Sequence, residues 1–480
     1  MVFPRTLFCA ALAAALIPAA LVACTSASSP TPTVNWHSCQ ENAEFDCATV
    51  TVPIDWADPN GATIDIAVVR DKADDLAQKV GTLVSLPGGP GSSGVDDILR
   101  GGKFSPELRA RFDIISLDPR GVKRSHPLRC DAGLVAHRPN MVPDLGGRID
   151  EVRSYATDLA ASCREYTGPL VDHLDAVSVA RDVEALRVAL GVDQLNLYSR
   201  SYGTMPAQAY AELFPQRLRA SLMDSVDDHS LDGRGFLASG ARAGQDTFDE
   251  FAAWCVRDET CTLHGTDVHQ IYGELFAKAG RGELPDLAEP NRPLGPLDLS
   301  AKVTQRLYRP DWAGLAADLQ ALTTQPPAAS VQPAAAKRSG EPTAAPETIV
   351  CADWKFDITD QDDWIEQWHE QNTNAPTLRA HFAWAAGTLC SGWPTPPPNL
   401  QHRPRIAGTP PILILNSRHD PATPLEWATR VAAQTSDATL LTYDGWGHGI
   451  YARTPCTTSA ADRYLIDRTV PAPSTHCPAA

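Results

Sequence analysis

The chain has 480 residues, 43% of them hydrophobic, enough for one large α/β domain with an insertion or for two domains. Its net charge is −17 at neutral pH and it has no long basic run, which argues against nucleic acid as a partner. Past the N-terminal segment, no stretch is long and apolar enough to span a bilayer.

Residues 1–24 read as a targeting segment. Arg5 precedes an apolar run, Leu7 to Val22, that ends in small residues and is too short for a stable span. Its end, Leu21-Val-Ala-Cys24, resembles the lipobox of bacterial lipoproteins. That resemblance implies a diacylated Cys24 and an exported protein held at the outer face of the cell membrane, the alternative being an ordinary signal peptide and a secreted protein. Residues 25–35 are polar and rich in Pro and Ser, as a flexible tether should be.

Besides Cys9 and Cys24, ten cysteines remain in the exported part, an even number that suggests disulfides. No C-x-x-C spacing occurs, so a zinc site is not expected. Spacing alone does not fix connectivity. Pairing of nearest neighbours gives 39–47, 130–163, 255–261, 351–390 and 456–477.

From Trp36 on, strand-like and helix-like segments alternate. Cys47–Pro53 and Ala62–Arg70 alternate polar and apolar residues like an antiparallel pair. Gly81–Leu86 and Phe112–Asp118 are short continuous apolar runs, as in buried parallel strands. Ser178–Leu190 has helical periodicity and stops at Gly191. A strand, a tight turn on Ser201, a helix and a further strand, Arg217–Asp224, follow. This rhythm predicts a doubly wound, mostly parallel sheet in an α/β architecture. It places the first part of the core at 36–228.

Residues 229–396 break the rhythm and read as a helical cap. Five tryptophans, 354, 364, 368, 384 and 393, point to a small core of its own, and Gln325–Pro342 to a disordered loop. The parallel pattern resumes in 397–480, with Pro411–Asn416 and Ala438–Tyr443 as the last two strands.

The chemistry concentrates at strand ends. Ser199-Arg-Ser-Tyr-Gly203 has the layout of a nucleophile elbow with serine at the first glycine position. Asp420 and His448 each follow a late strand. In an open parallel sheet such residues converge on one crevice. A serine hydroxyl needs a base, and the base needs an acid to orient it, so Ser201, His448 and Asp420 are the expected catalytic set. Asp224, at the end of the preceding strand, is an alternative acid. The expected oxyanion donors are the amides of Tyr202 and of Gly88 or Gly89, in the glycine-rich turn Leu86–Gly94. Asp118-Pro-Arg-Gly121 reads as a structural turn that braces the loops. No metal or cofactor is implied.

Pro87-Gly-Gly-Pro-Gly91, Asp118-Pro-Arg-Gly121 with Ser125, Ser201-Tyr-Gly-Thr204, Asp420-Pro-Ala-Thr-Pro424 and Gly447-His-Gly449 occur in order along most of the chain. Together they resemble the exported tripeptidyl aminopeptidases of actinobacteria, within the wider prolyl-aminopeptidase family of α/β-hydrolases. The resemblance implies release of short peptides from free N-termini, peptides as substrates, a cap around the substrate's amine end, and triad roles for Ser201, Asp420 and His448. The chain departs from that pattern at Ser199 and Arg200, where the family has glycine and an uncharged residue, at Lys123, where it often has glycine, and in the long Pro/Ala insertion. Cap carboxylates such as Asp353, Asp357, Glu366 and Glu370 are candidate ligands for a substrate ammonium. Two other readings stay open, an esterase with the same triad and a non-catalytic binding protein.

Overall fold

The computed structural model describes residues 34–289, 292–328 and 338–480. The targeting segment, Cys24 and nearly all of the expected tether lie outside the described residues, as does the middle of the Pro/Ala-rich stretch.

The strands, in chain order, are β1 (His37–Ser38), β2 (Asp46–Pro53), β3 (Thr63–Asp71), β4 (Gly81–Leu86), β5 (Phe112–Leu117), β6 (Arg129–Asp131), β7 (Leu195–Ser201), β8 (Leu218–Val226), β9 (Pro342–Ala344), β10 (Ile412–His419), β11 (Ala438–Trp446) and β12 (His476–Cys477). Ten of them form one sheet in the order β1-β2-β3-β5-β4-β7-β8-β10-β11-β12. The β1–β2, β2–β3 and β3–β5 pairs are antiparallel, and from β5 to β12 all pairs are parallel. This is the expected α/β-hydrolase architecture. The continuous apolar runs explain the parallel half: Leu83, Val84, Leu86, Ile114, Ile115 and Leu117 are buried, because helices cover both faces.

Local signals act where expected. The helix Ala176–Leu190 starts with the Asp175 carboxylate accepting from the Ser178 amide and ends at Gly191 in the left-handed region. Between β8 and β10 the chain is mainly helical, with helices Gly233–Arg257, Val268–Gly280, Pro296–Tyr308 and Trp312–Thr324 followed by Gln361–Asn374 and Trp384–Ser391.

Two details differ from the sequence reading. The small core of the insertion is built from Phe248, Phe251, Tyr272 and Trp312. Trp354, Trp364, Trp368 and Trp384 instead join the large cluster on one face of the sheet, because the later helices return onto the core. Second, β12 follows the two late strands. It is too short to show alternation, and the Cys456–Cys477 bridge ties it to the helix Pro455–Asp467. All five nearest-neighbour disulfides are formed.

Candidate active site

The elbow is built by crowding. Ser201 closes β7 with φ 57°, a left-handed conformation that non-glycine residues adopt at a cost of about 1–3 kcal/mol. The helix Thr204–Leu213 starts three residues later. A Cβ at Gly203 would lie 2.5 Å from the Pro87 carbonyl oxygen and 2.6 Å from that of Leu86, so only glycine lets the glycine-rich turn close on the elbow. Ser199 is fully buried and its hydroxyl donates to the Leu222 carbonyl on β8 at 3.3 Å. The serine at the first glycine position therefore fits, with its one polar atom satisfied.

The expected acid and base are in contact. His448 Nδ1 donates to both oxygens of Asp420 at 3.0 Å each. The Asp420 carboxylate also accepts from the Ala422 and Thr423 amides at 2.9 Å and from the Thr423 hydroxyl at 3.1 Å. The Asp-Pro-Ala-Thr-Pro motif is thus a turn that holds its own carboxylate. Ser201 ends the neighbouring part of the same sheet edge, and among the described residues its hydroxyl makes no hydrogen bond. Catalytic hydrogen bonds are often long before substrate binds.

The alternative acid has another task. Asp224 accepts from the Tyr198 hydroxyl and from the amides of Ile450 and Tyr451, so it anchors the loop just past His448 without touching the imidazole. The Ser225 hydroxyl accepts from the Gly449 amide at 2.8 Å. The carboxyl end of β8 thereby grips the histidine loop, with Tyr198 of β7 bonded to Asp224 behind it.

Gly88 lies against Ser201. A Cβ there would be 2.9 Å from Ser201 Cβ and 3.0 Å from the Arg200 carbonyl oxygen. Gly89, at φ 115°, faces the amides of Gly91 and Ser92 instead. The amides of Gly88, Gly89 and Tyr202 donate to no described protein group. The Tyr202 phenol donates to Asp353, which also accepts from the Ala176 amide and Asn399. Burial above all, with Asp175 adding, pushes the Asp353 carboxyl up to about 7.

Of the cap carboxylates singled out as ammonium ligands, Asp353 is therefore occupied in orienting Tyr202. Glu366 and Glu370 both bind Arg234 at the surface, and Asp357 pairs with Lys355. Beside these acids stands buried Asp227, whose position in Ser225-Val-Asp-Asp228 reads in sequence only as an exit from the strand. Tyr308, whose ring lies against that of His448, is marked by no local pattern either.

The Arg200 guanidinium makes no ion pair and no hydrogen bond among the described residues. Its stem packs beside the histidine loop, where a Cβ at Gly449 would be 2.8 Å from Arg200 Cδ. Burial works against its charge, while Tyr198, Asp224 and Asp97, all outside the insertion, raise its pKa. Lys123, at φ 38°, occupies a left-handed position that glycine favours, and it pairs with Asp96. The Asp118-Pro-Arg-Gly turn is a brace: Arg120 is buried, paired with Asp182 at 2.6 and 2.7 Å, and donates to the carbonyls of Pro53, Ile54 and His173.

Residues 375–477 match the model of a family described as TAP-like protein. Over 464 residues the chain is 30% identical to "Serine protease Hip1" of Mycobacterium tuberculosis, covering 90% of this chain and 87% of that protein. It is 31% identical over 479 residues to "Carboxylesterase B" of the same species, covering 93% and 90%. It is 28% identical to "Tripeptidyl aminopeptidase" of Streptomyces lividans, covering 90% and 84%.

Proposed function

The chain belongs to the TAP-like family of α/β-hydrolases and is a serine hydrolase, and from that premise we propose that it releases amino acids or short peptides from free N-termini through Ser201, His448 and Asp420. The observation that carries the reading is the strained Ser201 at the end of β7, on the same sheet edge as an imidazole already oriented by a carboxylate.

In this mechanism the Ser201 hydroxyl attacks the scissile carbonyl while His448 takes its proton. Asp420 fixes the imidazole orientation and stabilises the imidazolium. The Tyr202 and Gly88 amides, with Gly89 as the alternative to Gly88, receive the oxyanion. His448 then protonates the leaving amine, and water resolves the acyl-enzyme by the reverse path.

The name carried by the 31% identical relative favours a second reading, an acyl esterase with the same machinery. A panel of aminoacyl, dipeptidyl and tripeptidyl chromogenic amides and short acyl esters, run beside Ser201→Ala, separates them. Cleavage of free-N-terminus amides, with the variant down roughly 10⁶-fold, supports the peptidase. Cleavage of esters alone moves the protein to the second reading. Equal rates in wild type and variant exclude Ser201 as nucleophile.

Five disulfides fit an oxidising compartment and therefore export. In this reading Cys24 carries the lipid that holds the mature protein at the outer face of the cell membrane. The Cys24→Ala protein is then found in the medium, and one still retained by the membrane would exclude that anchor.

A further inference from the structure

Asp227 follows β8 directly, and its backbone is tied to the nucleophile. Val226 is the register partner of Ser201. The Thr204 hydroxyl donates to the Ser201 carbonyl at 2.7 Å and accepts from the Asp227 amide at 3.0 Å. Gln208, one turn along the same helix, donates to the Asp227 carbonyl at 2.9 Å.

The side chain is in a different situation. Asp227 is 7% exposed, yet among the described residues its carboxylate accepts no hydrogen bond and forms no ion pair. The acids around it are all provided for. Asp228 pairs with Arg430, Asp420 holds His448, and Asp353 receives Tyr202. A buried carboxylate without a donor is costly unless it neutralises or meets a cation. Burial, helped by Asp420, Asp228 and Asp353 and opposed by His448, pushes this one up to about 7. Its charge also reaches Tyr202, beside the nucleophile, and Tyr308, whose ring lies on His448. The unpaired acid therefore lies within electrostatic reach of the residues that flank the proposed triad.

We propose that the Asp227 carboxylate binds the α-ammonium of the substrate, an inference that rests on the aminopeptidase reading above. An ammonium brings three donors and a positive charge to a group that lacks both. Because the end of β8 adjoins the nucleophile, an N-terminus held there belongs to a short acyl group. Each added residue would carry it about 3.3–3.6 Å further away. Aminoacyl substrates are then preferred to tripeptidyl ones.

The test compares wild type, Asp227→Asn and Asp227→Glu on alanyl and N-acetylalanyl p-nitrophenyl esters, and on alanyl and trialanyl p-nitroanilides. Esters are included because an enzyme of either reading cleaves them. Wild type should prefer the free-amine ester. Asp227→Asn should lose roughly 10- to 100-fold in kcat/KM on it, mainly through KM. It should keep its rate on the acetylated ester, which also reports an intact fold, and Asp227→Glu should recover part of the loss. Equal losses on both esters, or a free-amine preference that survives in Asp227→Asn, overturn the role of Asp227 and leave the aminopeptidase reading standing. A wild type indifferent to acetylation overturns both. Faster cleavage of the trialanyl than the alanyl anilide overturns the short-acyl assignment.

Discussion

The backbone carbonyl of Tyr308, at the end of an insertion helix, accepts a hydrogen bond from the His448 amide at 2.8 Å, and the Tyr308 ring centroid lies 4.8 Å from that of the imidazole. The insertion thus holds the proposed base from above by backbone and by ring. Tyr308→Ala keeps the carbonyl and removes the ring. An aromatic pair contributes about 0.5–1.5 kcal/mol beyond its buried area. We expect kcat to fall roughly 3- to 10-fold on every substrate, while the thermal midpoint moves little. Unchanged kcat would show that the ring does not position His448.

Gly88→Ala should be a specific lesion of the oxyanion site. The added methyl meets Ser201 Cβ at 2.9 Å and the Arg200 carbonyl at 3.0 Å, both on rigid backbone, so the Gly88 turn must withdraw. Loss of one donor costs on the order of 10²–10³ in kcat. The measurement is kcat beside a melting curve. A fully active variant would remove Gly88 from the oxyanion site and leave Gly89 as the candidate.

How far the site can be read without coordinates depends on how local each signal is. The elbow, Asp420 and His448 are legible because short motifs at strand ends follow a parallel-sheet topology that brings such ends together. Ser199 and Arg200 look like defects in sequence. In space, the first fills a slot against Leu222 and the second lies along the histidine loop. Tyr308 is not legible, since its place on His448 is a contact between the insertion and the core, and the unpaired side chain proposed to act at Asp227 leaves no pattern either; no periodicity encodes them. The tryptophans mislead for the same reason: a cluster in sequence reads as a separate core, yet most of them pack on the sheet.

Lys103 links stability to pH. Its ammonium donates to Ser85 Oγ at 3.0 Å and lies 3.7 Å from Asp97, over the ring of Tyr198. Burial, reinforced by Arg200, lowers its pKa from the ordinary 10.5 to about 8. Between those values the unfolded chain binds the proton that the folded one has released, so stability rises with pH through that window. The charged, buried amine costs stability at pH 7. Lys103→Met should be more stable there by on the order of 1–3 kcal/mol, with the advantage shrinking from pH 8 and gone by 10.5. Urea melts across that range test it, and parallel curves for the two proteins would refute it.

The bridge between Cys456 and Cys477 secures β12 on the far edge of the sheet, beside the strand that leads to His448. The Cys456→Ser, Cys477→Ser double variant should lose about 2–4 kcal/mol of stability, with kcat at low temperature unchanged. Equal thermal midpoints for the two proteins would mean that the edge is held without it.

The order of the residues along the chain has a consequence for when activity can arise. The elbow forms from an early part of the chain, while the proposed acid and base come after the whole insertion, and the insertion itself supplies the Tyr308 contact on His448. A nascent or partly folded chain therefore carries a serine with nothing to deprotonate it. In the proposed mechanism hydrolysis is therefore withheld until the last parallel strands have docked.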